Sequence, residues 1–291
     1  MAKSERSAKT IAFQGLHGAY SDLACSVVYP DWKTLPCETF EDAFAAVTEK
    51  RADLAMIPID NSVAGRVADI HHLMPGSGLH IIGEHFQRIS HQLLAPKGAT
   101  LDSIKTVHSH VHALSQCRKL IRELGLKAIV HADTAGAAAD VAKGGDKSQA
   151  AIASSLAAKR YGLETLRSDI EDAEHNTTRF MVMSREAVTP KPNSGPVMTT
   201  FVFRVRNVPA ALYKAMGGFA TTGINMTKLE SYMLGGHFEA TQFYADVEGH
   251  PEERNLRLAL EELSFFSREL KILGVYPAHP FRREKVGASD D

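Results

Sequence analysis

Residues 54–62 read LAMIPIDNS, and this stretch decides the fold. Its first half is a continuous apolar run, which is typical of a strand buried on both faces of a parallel sheet. The stretch turns polar at Asp60-Asn61-Ser62, where such a strand would end. Short apolar strands alternate with amphipathic helices on either side of it, from Ile11 to about Met183. That alternation predicts an α/β fold with parallel sheets.

Two of the predicted helices have recognisable ends. Thr39 is a suitable N-cap for a helix with Phe44 and Val47 on its apolar face. Farther along, apolar residues at helical spacing predict one helix that ends at Gly125. The apolar face of that later helix consists of Leu114, Cys117, Ile121 and Leu124.

Polar residues stand just after several of the predicted strands. These residues are Ser21, Asn61, Ser109, Thr134 and Ser154. Helix N-termini gather at the carboxyl ends of parallel strands, and ligands of α/β proteins bind there. We therefore expect several of these side chains to line one cleft that suits an anion.

The composition changes at residues 188–198, where prolines and a glycine exclude a helix or a central strand. After this linker, the order of predicted elements is βαββαβ, which is a ferredoxin-like unit over residues 199–278. Its two helices are expected to begin at Pro209 and Pro251. Residues 279–291 form a charged tail, and disorder is expected from Pro280 onward.

Bulk composition restricts the partners and the compartment. The formal net charge is −1, so no global field attracts nucleic acid or an anionic membrane. Cys25, Cys37 and Cys117 have no C-x-x-C spacing, which favours free thiols in a reducing cytoplasm. The polar N-terminus contains no secretory signal, and no apolar run is long enough to span a bilayer. We expect a cytoplasmic protein.

One segment carries a family resemblance. Residues 161–183 place Tyr161, Asp172 and the run Thr178-Arg179-Phe180-Met181-x-Met183 at the spacing of the prephenate dehydratase signature. The unit at 199–278 resembles an ACT domain, the regulatory module that follows the catalytic domain in that family. The resemblance implies a monofunctional enzyme whose catalytic domain, residues 9–187, has two lobes of the periplasmic-binding type with substrate between them.

The reaction implied by the resemblance is the conversion of prephenate to phenylpyruvate, water and CO2, in phenylalanine biosynthesis, without cofactor or metal. Thr178 matches the catalytic threonine of the family and would donate its hydroxyl proton to the departing oxygen. Arg179 would clamp a substrate carboxylate, because its guanidinium is a rigid fork of donors. Without the resemblance, an ordinary threonine at a strand edge is the better interpretation of Thr178. For Arg179, an ion pair with Glu171, Asp172 or Glu174 is then as good an interpretation as substrate binding.

Other segments match further motifs of the family. Asp60 and Asn61 fall in a P-x-E-N-S motif, with Asp60 in place of the usual Glu. Ser109 and Gln116 match a strand-Ser-His segment and its downstream Gln. The resemblance implies substrate-binding roles for the following residues: Ser21, Asp60, Asn61, Ser109, Gln116, Thr177 and Arg179. The alternative for Asn61 and Ser62 is that they only cap the next helix, whereas Ser109 can be an N-cap and still face the cleft.

The ACT-like unit implies an effector site for L-phenylalanine and a homodimer or homotetramer built through that unit. The implied pocket residues are Asn207, Pro209, Ala211, Leu212, Asn225 and Met226. Two departures from the family pattern are Ala210 in a usual Gly position and Tyr232-Met233 in place of Arg-Pro. A module that only dimerises the chain is the alternative.

Two other functions fit the same sequence. Arogenate dehydratase performs the same chemistry on the aminated substrate, and the Thr178-Arg179-Phe180 segment does not distinguish it. A non-catalytic amino-acid sensor with an ACT module is the second alternative. A zinc site is not expected at the alternating His108, His110 and His112, because H-E-x-x-H is absent and no cysteine lies at ligand spacing.

Overall fold

The structure is a computed structural model that describes residues 8–173, 175–206, 208–233 and 240–284. The described chain divides into two compact units. Unit 1 contains the residues up to Val67 together with His85–Phe180. Unit 2 contains Ala68–Glu84 together with the residues from Met181 onward.

The strands alternate with helices over most of this length. In chain order the strands are β1 (Thr10–Gln14), β2 (Lys33–Cys37), β3 (Leu54–Asn61), β4 (Gly65–Arg66), β5 (His80–Arg88), β6 (Gln92–Ala95), β7 (Thr106–Ser109), β8 (Lys127–Val130), β9 (Gln149–Ala153), β10 (Glu164–Arg167), β11 (Thr177–Ser184), β12 (Val197–Val205), β13 (Met226–Met233), β14 (Ala240–Glu248) and β15 (Ser267–Pro277).

The helices are α1 (Tyr20–Val28), α2 (Phe40–Thr48), α3 (Ala68–Leu73), α4 (Val111–Gln116), α5 (Arg118–Glu123), α6 (Thr134–Gly144), α7 (Ser155–Tyr161), α8 (Ala211–Thr222), α9 (Arg254–Phe266) and α10 (Phe281–Glu284). Short 3-10 turns lie at Met74–Gly76 and Leu101–Ser103.

The first sheet of unit 1 is built on the stretch at residues 54–62. β1 pairs in parallel with β2 on one side and with β3 on the other. β11 lies beside β3. Thr39 caps α2 through a capping box with Asp42, and Phe44 and Val47 are buried, which confirms the predicted helix.

The second sheet of unit 1 is mixed, so the prediction of parallel sheets is wrong for this part. β7 pairs in parallel with β8 and β9, whereas β6 is antiparallel to both β9 and β10. β6 carries the chain into this sheet and β10 carries it back toward β11, so the two strands run in opposite directions. Both faces of the sheet are buried, because alternate residues of β6 and β9 belong to separate apolar clusters.

Unit 2 contains the predicted βαββαβ order, from β12 through α8, β13, β14 and α9 to β15. β12 is antiparallel to β14 and β15, and β13 is antiparallel to β14. α8 and α9 contribute Phe219, Leu256 and Leu263 to one apolar cluster with residues of β12 and β14. The faces of the helices and the sheet that meet in this cluster form the core of the unit.

The two predicted helix starts in unit 2 are wrong by two or three residues. α8 begins at Ala211 and α9 begins at Arg254, so Pro209 and Pro251 lie in the preceding turns. Ala210 is the N-cap residue of α8 and has a φ of 60°, in the left-handed region. This conformation ends the turn and explains why the helix starts after it.

The predicted disorder of the tail is also wrong at its beginning. Phe281–Glu284 form α10, and Arg282 makes a bidentate ion pair with Glu84 of β5 at 2.6 and 2.8 Å. The Glu84 side chain is fully buried and also accepts a hydrogen bond from the backbone N–H of His279. Residues 285–291 of the expected tail lie outside the described residues.

Candidate active site

The centre of the candidate site is a hydrogen bond between neighbouring strands of unit 1. Asn61, at the end of β3, donates from Nδ2 to Oγ1 of Thr178 in β11 at 2.9 Å. The Asn61 Oδ1 accepts the backbone N–H groups of Val63 and Ala64 at 2.9 and 2.7 Å. Asn61 therefore organises the turn after β3 and holds Thr178 with the same amide. The alternative that Asn61 caps the next helix is wrong, because this turn and β4 follow it and α3 begins only at Ala68.

This arrangement leaves the Thr178 proton available for a ligand. The hydroxyl oxygen accepts from Asn61, and among the described residues the Thr178 hydroxyl has no second hydrogen-bond partner. Thr178 is half-buried in β11, a strand whose following residues are buried. A hydroxyl that accepts one hydrogen bond and keeps its proton free can donate to a departing oxygen.

The hydrogen bonds continue from Asn61 to the second sheet. Asn61 Nδ2 also donates to Oδ1 of Asn176 at 2.8 Å, and Asn176 Nδ2 donates to Oε1 of Gln116 at 2.8 Å. Gln116 lies at the end of α4. The structure thus brings three of the sequence-predicted site residues, Asn61, Gln116 and Thr178, into one group through Asn176.

Three members of this group were not among the predicted site residues. Asn176 is almost completely buried. His91 directs Nε2 toward Gln116 Oε1 at 3.0 Å and Nδ1 toward the Tyr20 hydroxyl at 2.7 Å. Asn176 stands two residues before Thr178, so its proximity to the signature was a usable signal. Nothing local to the sequence marks His91 or Tyr20.

Burial sets the protonation of these two groups. It lowers the pKa of His91, which is therefore neutral near pH 7. Burial raises the pKa of the Tyr20 hydroxyl, which therefore keeps its proton. The Tyr20 hydroxyl also lies 3.0 Å from the backbone carbonyl of Ser90.

The acidic loop before β11 supports the site from behind. Glu171 accepts the backbone N–H of His91 at 2.9 Å and lies 3.5 Å from Arg88. Asp172 accepts the backbone N–H groups of Arg118 and Lys119, the first residues of α5. This cap starts a new helix and explains why the single helix predicted up to Gly125 divides into α4 and α5.

Although Arg179 directly follows Thr178 in the sequence, the two side chains do not lie side by side. Successive side chains of a strand point to opposite faces. Thr178 meets Asn61 on one face, whereas the buried Arg179 lies 4.0 Å from Asp60 and 5.9 Å from the ring of Phe86. Arg179 forms no ion pair with Glu171 or Asp172 among the described residues, so this alternative is wrong for these two partners. Glu174, the third possible partner, lies outside the described residues.

The remaining predicted substrate ligands lie around this group. Ser109 is completely buried and donates to the backbone carbonyl of Ile152 at 2.6 Å. It is not an N-cap, because His110 occupies that position of α4. Thr177 is held through its backbone by Ser62 at 2.9 Å. Ser21 lies in the first turn of α1 and is half-buried.

A loop contact joins the two sheets of unit 1. Ser154 caps α7 and donates its hydroxyl to the carbonyl of Gly18 at 2.6 Å, and Tyr161 donates to the carbonyl of His17 at 2.6 Å. Gly18 has a φ of 92°, and a Cβ there would lie 2.9 Å from Cα of Ala157. Only glycine permits this approach.

A cavity of about 580 Å³ opens at the carboxyl ends of β1 and β2. It is lined by Gln14, Gly15, Leu16, Pro36, Cys37, Glu38, Ala132 and Asp133. Its position after these strands agrees with the place where ligands of α/β proteins bind. The Asn61–Thr178 pair does not line it.

The predicted effector residues lie at the start of α8 and of β13 in unit 2. Pro209 precedes α8, and Ala211 and Leu212 begin it. Met226 is the first residue of β13, and Asn225 accepts the backbone N–H of Glu248. Asn207 lies outside the described residues.

Two further observations bear on the class of protein. No group of His, Cys, Asp and Glu side chains within the described part of the chain could hold a metal ion. None of the described helices is both long and apolar enough to cross a membrane.

Comparison with known proteins identifies the family. Residues 11–188 match the prephenate dehydratase family. The chain belongs to this family. Its activity is that of a prephenate dehydratase, a carbon–oxygen lyase of phenylalanine biosynthesis whose substrate is prephenate.

The chain is similar in sequence to two curated relatives and similar in structure to one solved protein. The chain is 58% identical over 276 residues to a bifunctional N-acyl-homoserine lactone acylase/prephenate dehydratase of Komagataeibacter europaeus, covering 95% of this chain and 98% of that protein. It is 38% identical to arogenate dehydratase/prephenate dehydratase 2 of Arabidopsis thaliana, covering 92% of this chain and 72% of that protein. A prephenate dehydratase from Arthrobacter aurescens, solved in complex with L-Phe, has a TM-score of 0.84 at 32% identity, covering 92% of this chain and 90% of that chain.

The expectation of a monofunctional enzyme is not confirmed, because the relative from Komagataeibacter europaeus is described as bifunctional. The predicted family and its reaction are confirmed.

Proposed function

We propose that Thr178 is the donor that triggers the prephenate dehydratase reaction. The electron pair of the bond between the ring and its carboxylate moves into the ring and releases CO2. The ring C–O bond breaks at the same time, and the departing hydroxide becomes water by taking up a proton that comes from the solvent. The Thr178 hydroxyl stabilises the negative charge that develops on that oxygen.

The hydrogen bond from Asn61 to Thr178 is the observation that carries this proposal. Because the Thr178 oxygen already accepts from an amide, its own proton is directed away from the protein. An accepted hydrogen bond also polarises the hydroxyl and strengthens its donation. Threonine needs no ionisation in this role, and the neutral amide supports it without a fixed charge.

The decisive comparison is Thr178→Ala against Thr178→Ser. Alanine removes the donor and should lower kcat by roughly 10²–10³. Serine keeps the hydroxyl and should retain most of the activity. Phenylpyruvate formation is measured at saturating prephenate, with circular dichroism as the control for folding. Equal kcat values for the alanine variant and the unmodified enzyme would refute the proposal.

Substrate binding is proposed for the predicted residues around Thr178. The available Gln116 amide supports a direct contact with a substrate oxygen. Asn61 is proposed to act through Thr178, and Ser21 and Thr177 to border the substrate. The buried Arg179 and Asp60 lie on the opposite strand face; together with Ser109, they are proposed to support the binding residues.

We infer that the catalytic domain, residues 9–187, has two lobes of the periplasmic-binding type. The two sheets of unit 1 and the chain crossings between them, after β5 and before β11, support this inference. The substrate would then lie between the lobes, next to the hydrogen bonds that connect Asn61 to Gln116.

Arogenate is an alternative substrate, because the Arabidopsis thaliana relative is described as acting on both acids. The two acids differ only at the side-chain carbon away from the departing groups. The ratio of kcat/KM for prephenate and arogenate, measured in competition, decides which acid the enzyme prefers. A non-catalytic sensor is no longer an alternative for the catalytic domain, because dehydratase activity is established.

A second activity is a candidate because of the bifunctional relative. Its identity of 58% extends over 95% of this chain, so an acylase activity has no separate domain to reside in. The cavity at the ends of β1 and β2 offers room for an acyl chain beside Leu16 and Pro36. Release of homoserine lactone from an N-acyl-homoserine lactone tests this activity, and no release by enzyme that dehydrates prephenate excludes it.

We propose that residues 199–278 are an ACT domain that binds L-phenylalanine and joins chains into a dimer or tetramer, with residues 188–198 as linker and 279–291 as tail. The βαββαβ order supports the assignment, and the Arthrobacter aurescens relative was solved with L-Phe. Calorimetry with L-phenylalanine and light scattering test the two parts separately. The absence of binding heat at millimolar L-phenylalanine would exclude regulation by this amino acid.

The three buried, free thiols support a cytoplasmic location for the protein.

A further inference from the structure

The direction of the hydrogen bonds that connect Asn61 to His91 follows from two backbone groups. Val63 and Ala64 can only donate through their backbone N–H, so the atom of Asn61 that faces them is the amide oxygen. The Asn61 NH2 group must then face Thr178 and Asn176. Asn176 therefore presents its oxygen to Asn61 and its NH2 group to Gln116.

The same rule continues to His91. Gln116 presents its oxygen to Asn176, and His91 Nε2 lies 3.0 Å from that oxygen. Nε2 must consequently carry the proton. Burial keeps His91 neutral, so Nδ1 is an acceptor. The Tyr20 hydroxyl lies 2.7 Å from Nδ1 and 3.0 Å from the Ser90 carbonyl and shares its one proton between these two acceptors. One tautomer of His91 satisfies the whole series.

We propose that His91 and Tyr20 are positioning residues that hold the Gln116 amide with its NH2 group directed at an acceptor oxygen of the substrate. The Gln116 oxygen is saturated by two donors, while its NH2 group has no partner among the described residues. The inference rests on the substrate-binding role proposed for Gln116. The acceptor is a carboxylate oxygen, common to prephenate and arogenate, or the keto oxygen of prephenate.

His91 variants of different reach test the positioning role. In His91→Gln, the amide nitrogen can occupy the place of Nε2 and still donate to Gln116. In His91→Asn, the shorter side chain reaches only the Tyr20 side. We expect His91→Asn to raise KM for prephenate roughly 10-fold to 100-fold, the worth of a hydrogen bond to a charged acceptor. His91→Gln should raise KM less than about threefold.

Tyr20→Phe is the second probe. Loss of the phenol proton lets His91 adopt the other tautomer, whose Nε2 would face the Gln116 oxygen without a proton. We expect Tyr20→Phe to raise KM for prephenate more than His91→Gln does and less than His91→Asn does. The kcat values should stay within about threefold in all three enzymes, because Thr178 and Asn61 are untouched.

Gln116→Ala separates failure of this inference from failure of the binding role. If Gln116→Ala leaves KM unchanged, the proposed contact of Gln116 with substrate is wrong. If Gln116→Ala raises KM but His91→Asn and His91→Gln behave alike, His91 is only structural and the positioning role is overturned. An equal loss with prephenate and arogenate identifies the acceptor as a carboxylate. A loss confined to prephenate identifies it as the keto oxygen.

Discussion

The buried polar groups around Asn61 in unit 1 and around Glu84 in unit 2 are satisfied in opposite ways. In unit 1, neutral amides and a hydroxyl join Asn61, Asn176 and Gln116 to Thr178, and the series leaves donors unused at its ends. In unit 2, the buried Glu84 carboxylate is paired with Arg282 and a backbone N–H. A neutral series with spare donors suits the recognition of an anion, whereas a closed ion pair suits the fixing of one structure.

The largest expected effect is on stability, when one partner of the ion pair in unit 2 is removed. Arg282→Met removes two charge-assisted hydrogen bonds from the buried Glu84 carboxylate, and should lower the free energy of unfolding by about 3–5 kcal/mol. Arg283→Met, at the exposed neighbouring position, should change it by less than about 0.5 kcal/mol. Urea denaturation followed by circular dichroism measures both.

The double variant sharpens this test. Glu84→Gln together with Arg282→Met also removes the buried carboxylate charge and should recover most of the loss. If the double variant is no more stable than Arg282→Met alone, the ion pair is not the source of the effect. α10 would then contribute through packing instead.

In unit 1 the corresponding change should affect activity more than stability. Asn61→Asp keeps the shape and the two backbone acceptor contacts, but it cannot donate to Thr178 or Asn176. The carboxylate also repels an anionic substrate. We expect kcat to fall about 10²-fold. Asn193→Asp, in an exposed turn of unit 2, is the matched control and should leave kcat unchanged. A similar decrease in both variants would contradict the role of Asn61.

Most of the fold could be predicted because its signals are local. The apolar runs of β1 and β3 and the cap at Thr39 each lie within a few residues. The partners in the candidate site are distant in sequence, with Asn61 and Thr178 separated by 117 residues and Tyr20 and His91 by 71. The periodicity of apolar residues along the sequence does not predict contacts between residues so far apart. Strand alternation, by contrast, was available in the sequence and would have placed Thr178 and Arg179 on opposite faces.

Backbone strain gives a smaller difference within unit 2. Ala210 holds a φ of 60°, where glycine is free of the clash that a Cβ causes. Ala210→Gly should therefore raise the free energy of unfolding by about 1 kcal/mol. Ala211→Gly, at the first residue of α8, should lower it by a similar amount, about 0.5–1 kcal/mol. Thermal unfolding of the two variants measures this, and the same sign in both would contradict the conformation of Ala210.

The smallest of the four expected effects is the pH dependence of stability caused by the neutral His91 in unit 1. Burial places the pKa of His91 below its ordinary value of 6.5. As the pH falls through 6.5, the unfolded chain takes up a proton that folded His91 refuses, so the free energy of unfolding decreases until the lower folded pKa is reached. His91→Gln does not titrate and should lose less stability than the unmodified enzyme between pH 7 and pH 5. Urea unfolding of both proteins at the two pH values gives the comparison. Equal losses would mean that the pKa of His91 is not lowered in the folded state, which would contradict its burial as the cause of its neutrality.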